Sequence, residues 1–143
     1  MPDRRAVIAT RLFTGDTLAT DQAVLIATGA EAIAGSTRMK AGTAQKVALN
    51  LFSTLLMLRL GRVHAGLMVD MRASNEKLRA RAVRMLCRLA GADTAAARDA
   101  LSRAGENVKL AVLLLRGLDP PAARALLART DGNLRAALAE LGA

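Results

Sequence analysis

Aromatic residues are almost absent from this chain of 143 residues, which contains two Phe and neither Trp nor Tyr. Its core must therefore be filled by Ala, Leu, Val and Met, a composition that favours closely packed helices over a β-sandwich. The shortage also argues against a binder of single-stranded nucleic acid, because such proteins stack bases on aromatic side chains. We expect a mainly α-helical protein, large enough for one domain or a domain with an appendage.

Cysteine and histidine occur once each, as Cys87 and His64. A single cysteine excludes a disulfide framework, and the apolar helical surroundings of Cys87 predict a buried free thiol. Because one His, one Cys and scattered carboxylates lack the spacing of a ligand set, we predict no metal site and no cofactor. A loop or interface position is favoured for His64 over a catalytic base, since the sequence places no carboxylate partner beside it.

Acidic residues are outnumbered, with 12 Asp and Glu against 21 Lys and Arg, which gives a net charge of +9. A solvated arginine-rich surface explains this charge, so nucleic-acid binding is the weaker interpretation. Long apolar runs are also missing: the longest, from Val47 to Leu58, is interrupted by Asn50, Ser53 and Thr54 and is too short to span a bilayer. With no signal-peptide pattern either, we expect a cytoplasmic protein without a membrane segment.

Hydrophobic patterning predicts two strands and two long helices. Apolar runs over residues 6–13 and 22–29 predict strands, the second of them a buried strand of a parallel sheet. Residues 43–60 are apolar almost all round, which predicts a helix covered on most sides by other elements or by another subunit. Ser74 is expected to cap a helix over residues 75–90. Its predicted apolar face contains Leu78, Ala82, Met85, Leu86 and Leu89, and its predicted solvated face contains Arg79, Arg81, Arg84 and Arg88.

An internal repeat occupies the last fifty residues. Residues 96–112 and 122–138 align without gaps at an offset of 26 positions. Each unit predicts a helix, a tight turn and a second helix, and "GLDPP" joins the units, with Gly117 ending one helix and Asp119 capping the next. No cluster of catalytic residue types falls in this predicted helical module.

The stretch "GSTRMKAG", residues 35–42, connects the second predicted strand to the apolar helix. In open α/β sheets, ligands bind at loops that join the carboxyl end of a strand to a helix. Free N–H groups and the helix dipole at such a place favour an anion. It is not a Walker A loop, because Lys40 precedes the second glycine. The pattern alone leaves two interpretations open, a phosphate or phosphosugar site and a plain strand-to-helix turn.

The longer segment "GSTRMKAGTAQK" resembles the signature of the N-acetylmuramic acid 6-phosphate etherases and the related glucokinase regulatory proteins. The resemblance continues through residues 48–82 and through "DGNLRAAL", and covers the chain from about residue 21 to its end. It implies the C-terminal half of that family: the strand-loop-helix portion of a sugar isomerase (SIS) α/β domain over residues 21–72, then an α-helical tail over 73–143. Residues 1–20 stay unassigned.

The resemblance also implies a function and its site. Such etherases act as cytoplasmic dimers in cell-wall recycling and remove the D-lactyl ether of N-acetylmuramic acid 6-phosphate, which gives N-acetylglucosamine 6-phosphate and D-lactate. The implied chemistry is elimination followed by water addition, which needs an acid/base pair and no metal. For the site, the resemblance implies that Ser36 and Thr37 contact the sugar phosphate with Lys40 as electrostatic partner, that Gly35 and Gly42 shape the loop, and that Thr43 caps the helix.

Other positions of the resembling region have less defined roles. For Arg38, a surface ion pair and a ligand contact are equally favoured. Glu31 lies in "TGAE", where the family commonly has Gly-Pro-Glu, and is expected to be a turn residue near the site and not the catalytic acid. Local hydrogen bonding is expected for Asp70 and Asn75. Residues 65–66 are Ala-Gly where relatives tend to have Gly-Asn.

The segments that supply the family's catalytic glutamates do not occur in this sequence, so the catalytic residues are unknown and we expect an incomplete enzyme. A partial parallel sheet and an apolar helix need neighbours, which predicts either a homo-oligomer or pairing with a complementary N-terminal half. Two alternatives remain: a non-catalytic phosphosugar-binding or regulatory module and, less favoured, a basic helical module that binds nucleic acid.

Overall fold

The chain is mainly helical, as predicted. The computed structural model describes residues 6–10 and 22–142, with the backbone alone at residues 6–10, 22 and 23. The chain divides into two compact units between Leu56 and Met57, within its first helix. The described strands are β1 (Ala6–Thr10), β2 (Gln22–Ile26), β3 (Val63–His64) and β4 (Leu67–Met68). The described helices are α1 (Ala41–Arg59), α2 (Glu76–Ala90), α3 (Thr94–Arg103), α4 (Val108–Leu115), α5 (Pro120–Arg129) and α6 (Leu134–Glu140).

The first unit contains a parallel pair of strands. β1 and β2 run in register from Ala6 opposite Gln22 to Thr10 opposite Ile26, which confirms the predicted parallel type. Positions 11–13 of the first predicted strand lie outside the described residues. The predicted burial of the second strand is wrong in this chain: half or more of the surface of Val24 and Leu25 is exposed, because no described element packs over them.

Helix α1 follows, beginning two residues before its predicted start. Within it only Ala41 is buried. The apolar side chains of this helix, which were predicted to be covered, are instead exposed to solvent. Leu51 and Leu55 are each 59% exposed, and Phe52 is 58% exposed. The large apolar side chains exposed on α1 are Val47, Leu49, Leu51, Phe52, Leu55, Leu56 and Leu58.

The second unit opens with a hairpin. β3 and β4 are antiparallel, with Val63 opposite Met68. The two residues between them, Ala65 and Gly66, both have positive φ, 48° and 73°. Positive φ at both central positions is characteristic of a type I′ turn, whose twist matches that of a two-residue hairpin.

Helix α2 has the predicted faces but a different cap. The Asn75 side-chain oxygen accepts a hydrogen bond from the Leu78 N–H at 2.9 Å, so Asn75 and not Ser74 is the N-cap. The expected local hydrogen bonding of Asn75 is thereby confirmed. Ala82, Met85 and Leu86 are buried, Leu78 and Leu89 are partly buried, and all four arginines of the opposite face are exposed. Cys87 is a free cysteine but only half-buried, because it lies at the edge of the apolar face.

Two helical hairpins, α3–α4 and α5–α6, occupy the region of the predicted repeat, and their starts are offset by 26 residues. The caps share this offset: Asp93 and Asp119 begin the first helices, and Asn107 and Asn133 begin the second helices. Both turns are closed by the same backbone bond, from Glu106 N–H to the Leu101 carbonyl at 3.0 Å and from Gly132 N–H to the Leu127 carbonyl at 2.7 Å. Asp119 caps α5 as predicted.

A single apolar core fills the second unit. It joins the end of the hairpin, through Val69, to the buried faces of helices α2 to α6. Its largest fully buried side chains are Val69, Leu86, Leu113, Leu134, Val108 and Val112. As the composition predicted, aliphatic side chains and alanines fill this core without aromatic residues.

Candidate functional site

The loop between β2 and α1 carries most of the predicted site residues, and its anchor is Glu31. The Glu31 carboxylate accepts hydrogen bonds from the Lys40 N–H at 3.1 Å and from the Ala41 N–H at 3.0 Å. A carboxylate at a helix N-terminus is stabilised by unpaired N–H groups and by the helix dipole. Glu31 is thus a turn residue at the site, as expected, and it closes a loop across ten positions of the sequence.

Lys40 is turned back onto the same loop. Its Nζ donates a hydrogen bond to the Ala30 carbonyl at 2.6 Å. This contact takes one of the three donors of the ammonium group, and the side chain remains exposed. The positive charge is therefore held beside the end of β2 while two of its donors stay available.

The hydroxyls of Ser36 and Thr37 lie in the turn before α1. Ser36 Oγ accepts a hydrogen bond from the Arg38 N–H at 3.3 Å, which leaves its own hydrogen free to donate. The Thr37 carbonyl accepts from the Gly42 N–H at 2.8 Å. Within the part of the chain that the structure describes, neither the Thr37 hydroxyl nor the Thr37 N–H has a hydrogen-bond partner. The loop thus presents unpaired donors of the kind that bind a phosphate oxygen.

The two glycines and Thr43 have different structural roles. Gly35 has a φ of +80°, and a side chain added there would meet nothing within 4 Å. A Cβ added at Gly42 would lie 3.3 Å from the Thr37 carbonyl oxygen, so Gly42 allows the loop to pack closely on the helix start. Thr43 lies inside the first turn of α1, which begins at Ala41. The predicted capping by Thr43 is wrong, because Glu31 already bonds the N–H groups at this end.

Sequence reasoning missed Thr28. Its Oγ1 is buried and has no hydrogen-bond partner in the described structure. A buried hydroxyl without a partner is uncommon, since its desolvation is not compensated. The signal in the sequence was a Thr-Gly pair directly after an apolar strand, where the chain turns toward the candidate loop. Arg38, by contrast, is exposed and makes no ion pair with any described residue, so of its two expected roles the surface ion pair is not present there.

His64 lies on strand β3 in the second unit and not in a loop, which was one of its two expected positions. Its Nδ1 is buried and lacks a partner among the described residues. Desolvation lowers the pKa of His64 from its usual value, and the nearby positive charge of Arg135 lowers this pKa further. The imidazole is therefore kept neutral in the folded protein near neutral pH.

Asp70 forms ion pairs and not the predicted local hydrogen bonds. Its Oδ1 lies 2.7 Å from Lys109 Nζ and its Oδ2 lies 3.3 Å from Arg62 Nε. Lys109 is on α4, far from Asp70 in sequence, so the contact is a tertiary one. These ion pairs give Asp70 a structural role in the second unit.

Metal-ligating side chains do not come together in the described part of the chain: His, Cys, Asp and Glu there form no group of three or more that could hold an ion. Among residues 6–10 and 22–142, no helix is long and apolar enough to cross a membrane.

Comparison with known proteins identifies relatives of this chain, although no family model matches it. An N-acetylmuramic acid 6-phosphate etherase of Symbiobacterium thermophilum is 58% identical over 97 residues, which are 68% of this chain and 32% of the relative. The etherase of Streptomyces avermitilis is 51% identical over 122 residues, 85% of this chain and 39% of the relative. That of Deinococcus radiodurans is 50% identical over 123 residues, 85% of this chain and 40% of the relative.

The chain spans between about a third and two fifths of the length of these relatives. A match of 122 residues leaves at most 21 of the 143 outside it (143 − 122 = 21), so it contains the loop at residues 35–42 and most of the helical module. The resemblance found in "GSTRMKAGTAQK" is thereby confirmed. By sequence, the chain is a homologue of the N-acetylmuramic acid 6-phosphate etherases over most of its length.

Proposed function

We propose that this chain supplies the phosphosugar-binding portion of an N-acetylmuramic acid 6-phosphate etherase. The observation that carries the proposal is the identity of about 50% to etherases over a stretch that includes the candidate loop. The free donors of that loop support it independently, because a sugar phosphate needs hydroxyl and N–H donors together with positive charge.

The fold proposed for residues 21–72, which include β2, α1 and the β3–β4 hairpin, is part of a sugar isomerase (SIS) domain. Parallel strands followed by a loop and a helix are the arrangement in which α/β sheets bind ligands at the carboxyl ends of strands. The proposed SIS portion covers residues 21–72 and the proposed helical tail covers residues 73–143. A cytoplasmic location is part of the same proposal.

In the proposed site, Ser36 and Thr37 donate hydrogen bonds to the phosphate, and Lys40 supplies charge with its remaining donors. Gly35 and Gly42 shape the loop. Thr43 presents its exposed hydroxyl from the first turn of α1. The phosphate is placed over the turn and not directly on the axis of α1, because the Glu31 carboxylate already occupies the N–H groups of Lys40 and Ala41.

The proposed reaction removes the D-lactyl ether by elimination and completes the product by addition of water, which requires a general acid/base. Glu31 is held by backbone N–H groups and is not assigned that role. We assign the acid/base to the parts of an etherase that lie outside the matched region. The same parts are proposed to cover the exposed face of α1, whose apolar side chains have no cover in the described structure.

The test is a chimera in which the matched segment of the Streptomyces avermitilis etherase, which is long enough to contain both serines tested below, is replaced by that of this chain. We expect it to release D-lactate from N-acetylmuramic acid 6-phosphate. Ser36→Ala in the chimera should lower kcat/KM by roughly 10- to 100-fold, the worth of a hydrogen bond to a charged group. The matched control is Ser102→Ala, an exposed serine on α3, which should leave kcat/KM unchanged. Equal activity of the two variants would refute the assignment of Ser36.

A second candidate is a phosphosugar-binding or regulatory module without catalysis. The engagement of Glu31 with the backbone favours it, since this carboxylate near the loop is not free for proton transfer. It predicts binding of N-acetylglucosamine 6-phosphate with no turnover even in the chimera, whereas the etherase assignment predicts turnover there.

A further inference from the structure

The two repeats each place an arginine at the same helix position beside a pocket. Arg98 on α3 and Arg124 on α5 are equivalent at the offset of 26, and so are the leucines three residues later, Leu101 and Leu127. The α3 pocket is lined by Glu76, Arg79, Ala80, Val83, Arg98, Leu101 and Glu106. The α5 pocket, which we call the basic pocket, is lined by Arg72, Ala104, Gly105, Asn107, Leu110, Arg124 and Leu127.

The two pockets differ in charge, although they lie beside corresponding helices of the repeat. Two arginines and two glutamates line the α3 pocket, and Arg79 Nε lies 3.4 Å from Glu106 Oε2. The basic pocket has two arginines and no carboxylate in its lining. Neither the Arg72 nor the Arg124 side chain has a hydrogen bond or ion pair with any residue that the structure describes. Two guanidinium groups facing one cavity without a counter-charge favour an anion there.

The remaining lining determines what kind of anion fits. Asn107 Oδ1 accepts from the Leu110 N–H at 3.1 Å, and the Asn107 amide nitrogen has no partner among the described residues and can donate to a ligand. Ala104 and Leu110 are buried and apolar, and with Leu127 they form an apolar wall. The pocket has a volume of about 390 Å³, larger than a phosphate ion needs. A lining that combines hydrogen-bond donors with aliphatic carbon suits an organic phosphate with an apolar body.

We propose that the basic pocket of the helical module binds a phosphate monoester with an apolar ester group, held by Arg72 and Arg124. Guanidinium groups pair with phosphate through two parallel hydrogen bonds, which makes arginine better suited than lysine to this task. None of the residues that line the basic pocket belongs to the loop at residues 35–42, and the proposal does not depend on the etherase function.

The experiment is a titration of the full ¹⁵N-labelled chain with phenyl phosphate at low ionic strength, followed through backbone amide shifts. We expect saturable shifts at Gly105, Asn107 and Leu127. Arg124→Ala, and separately Arg72→Ala, should weaken binding by about tenfold or more, since each removes charge-assisted hydrogen bonds. The matched control is Arg98→Ala, the repeat-equivalent arginine, which should leave the affinity within about twofold because its pocket holds its own carboxylates.

Inorganic phosphate should shift the same amides with lower affinity, and phenol alone should not shift them. The proposal is overturned if phenyl phosphate gives no saturable shift, if Arg98→Ala weakens binding as much as Arg124→Ala, or if phenol binds as well as phenyl phosphate. Both arginines are exposed, and retention of the dispersed spectrum in each variant shows that a loss of binding is not a loss of fold.

Discussion

Gly61 and Asn133 are in contact where α1 ends and α6 begins. Gly61 has a φ of +65°, and a Cβ added there would lie 2.8 Å from Asn133 Cγ. The Asn133 side chain in turn accepts hydrogen bonds from the N–H groups of Arg135 and Ala136, which caps α6. A substitution at Gly61 therefore strains the backbone and displaces a helix cap at the same time.

Gly61→Ala should lower the free energy of unfolding by about 2–3 kcal/mol, of which about 1–2 kcal/mol is the cost of positive φ and about 1 kcal/mol the loss of the cap. The control is Gly66→Ala, since Gly66 has a φ of +73° but nothing within 4 Å of an added Cβ. It should cost about 1–2 kcal/mol, the backbone term alone. Denaturant unfolding measures the free energy of unfolding of both variants. Equal losses in the two would show that the contact with Asn133 contributes nothing to stability.

At this scale the sequence predicts roles that depend on near neighbours and misses those that depend on distant ones. Asp119 was predictable as a cap because it directly precedes two prolines at a helix start. Glu31 was predictable as a turn residue, but not its bond to the Ala41 N–H, because that contact depends on how the loop closes over ten positions. The prediction that Thr43 caps α1 was wrong for the same reason, because the group that bonds the helix start, Glu31, lies ten positions before it in the sequence.

Lys109 connects separate elements of the second unit through contacts of its side chain. This α4 side chain is 12% exposed, lies 2.7 Å from Asp70 Oδ1 and also donates to the Gly132 carbonyl at 2.9 Å. It thereby connects the residues after the β3–β4 hairpin to the turn between α5 and α6. The repeat itself was predictable from its offset of 26, whereas this contact joins a repeat helix to a segment outside the repeat and has no pattern in the sequence.

Lys109→Met should lower the free energy of unfolding by about 1–3 kcal/mol, because the Gly132 carbonyl and the Asp70 carboxylate lose their shared donor. Asp70 keeps Arg62 at 3.3 Å, which holds the loss below that of a fully unpaired buried charge. Arg103→Met is the matched control, since it breaks the exposed pair with Asp99 and should cost no more than about 0.5 kcal/mol. Similar midpoints for the two variants in denaturant unfolding would contradict the linking role of Lys109.

At the scale of the whole molecule, the main contrast is between apolar side chains that are buried in a core and apolar side chains that are exposed. The second unit buries its aliphatic core, but α1 exposes Leu51, Phe52 and Leu55 by more than half of their surface. The sequence predicted that this helix needs cover, because its apolar residues surround it. It could not indicate what covers the helix, since the pattern of apolar residues does not specify the partner that they contact.

The proposed function gives this chain the phosphosugar-binding loop of an etherase but not the acid/base that cleaves the ether. D-lactate release from N-acetylmuramic acid 6-phosphate is measured for the chain alone and, beside it, for the Streptomyces avermitilis chimera. We expect D-lactate release by the chimera and none by the chain alone. Turnover by the chain alone at the rate of the chimera, or an inactive but folded chimera, would contradict it.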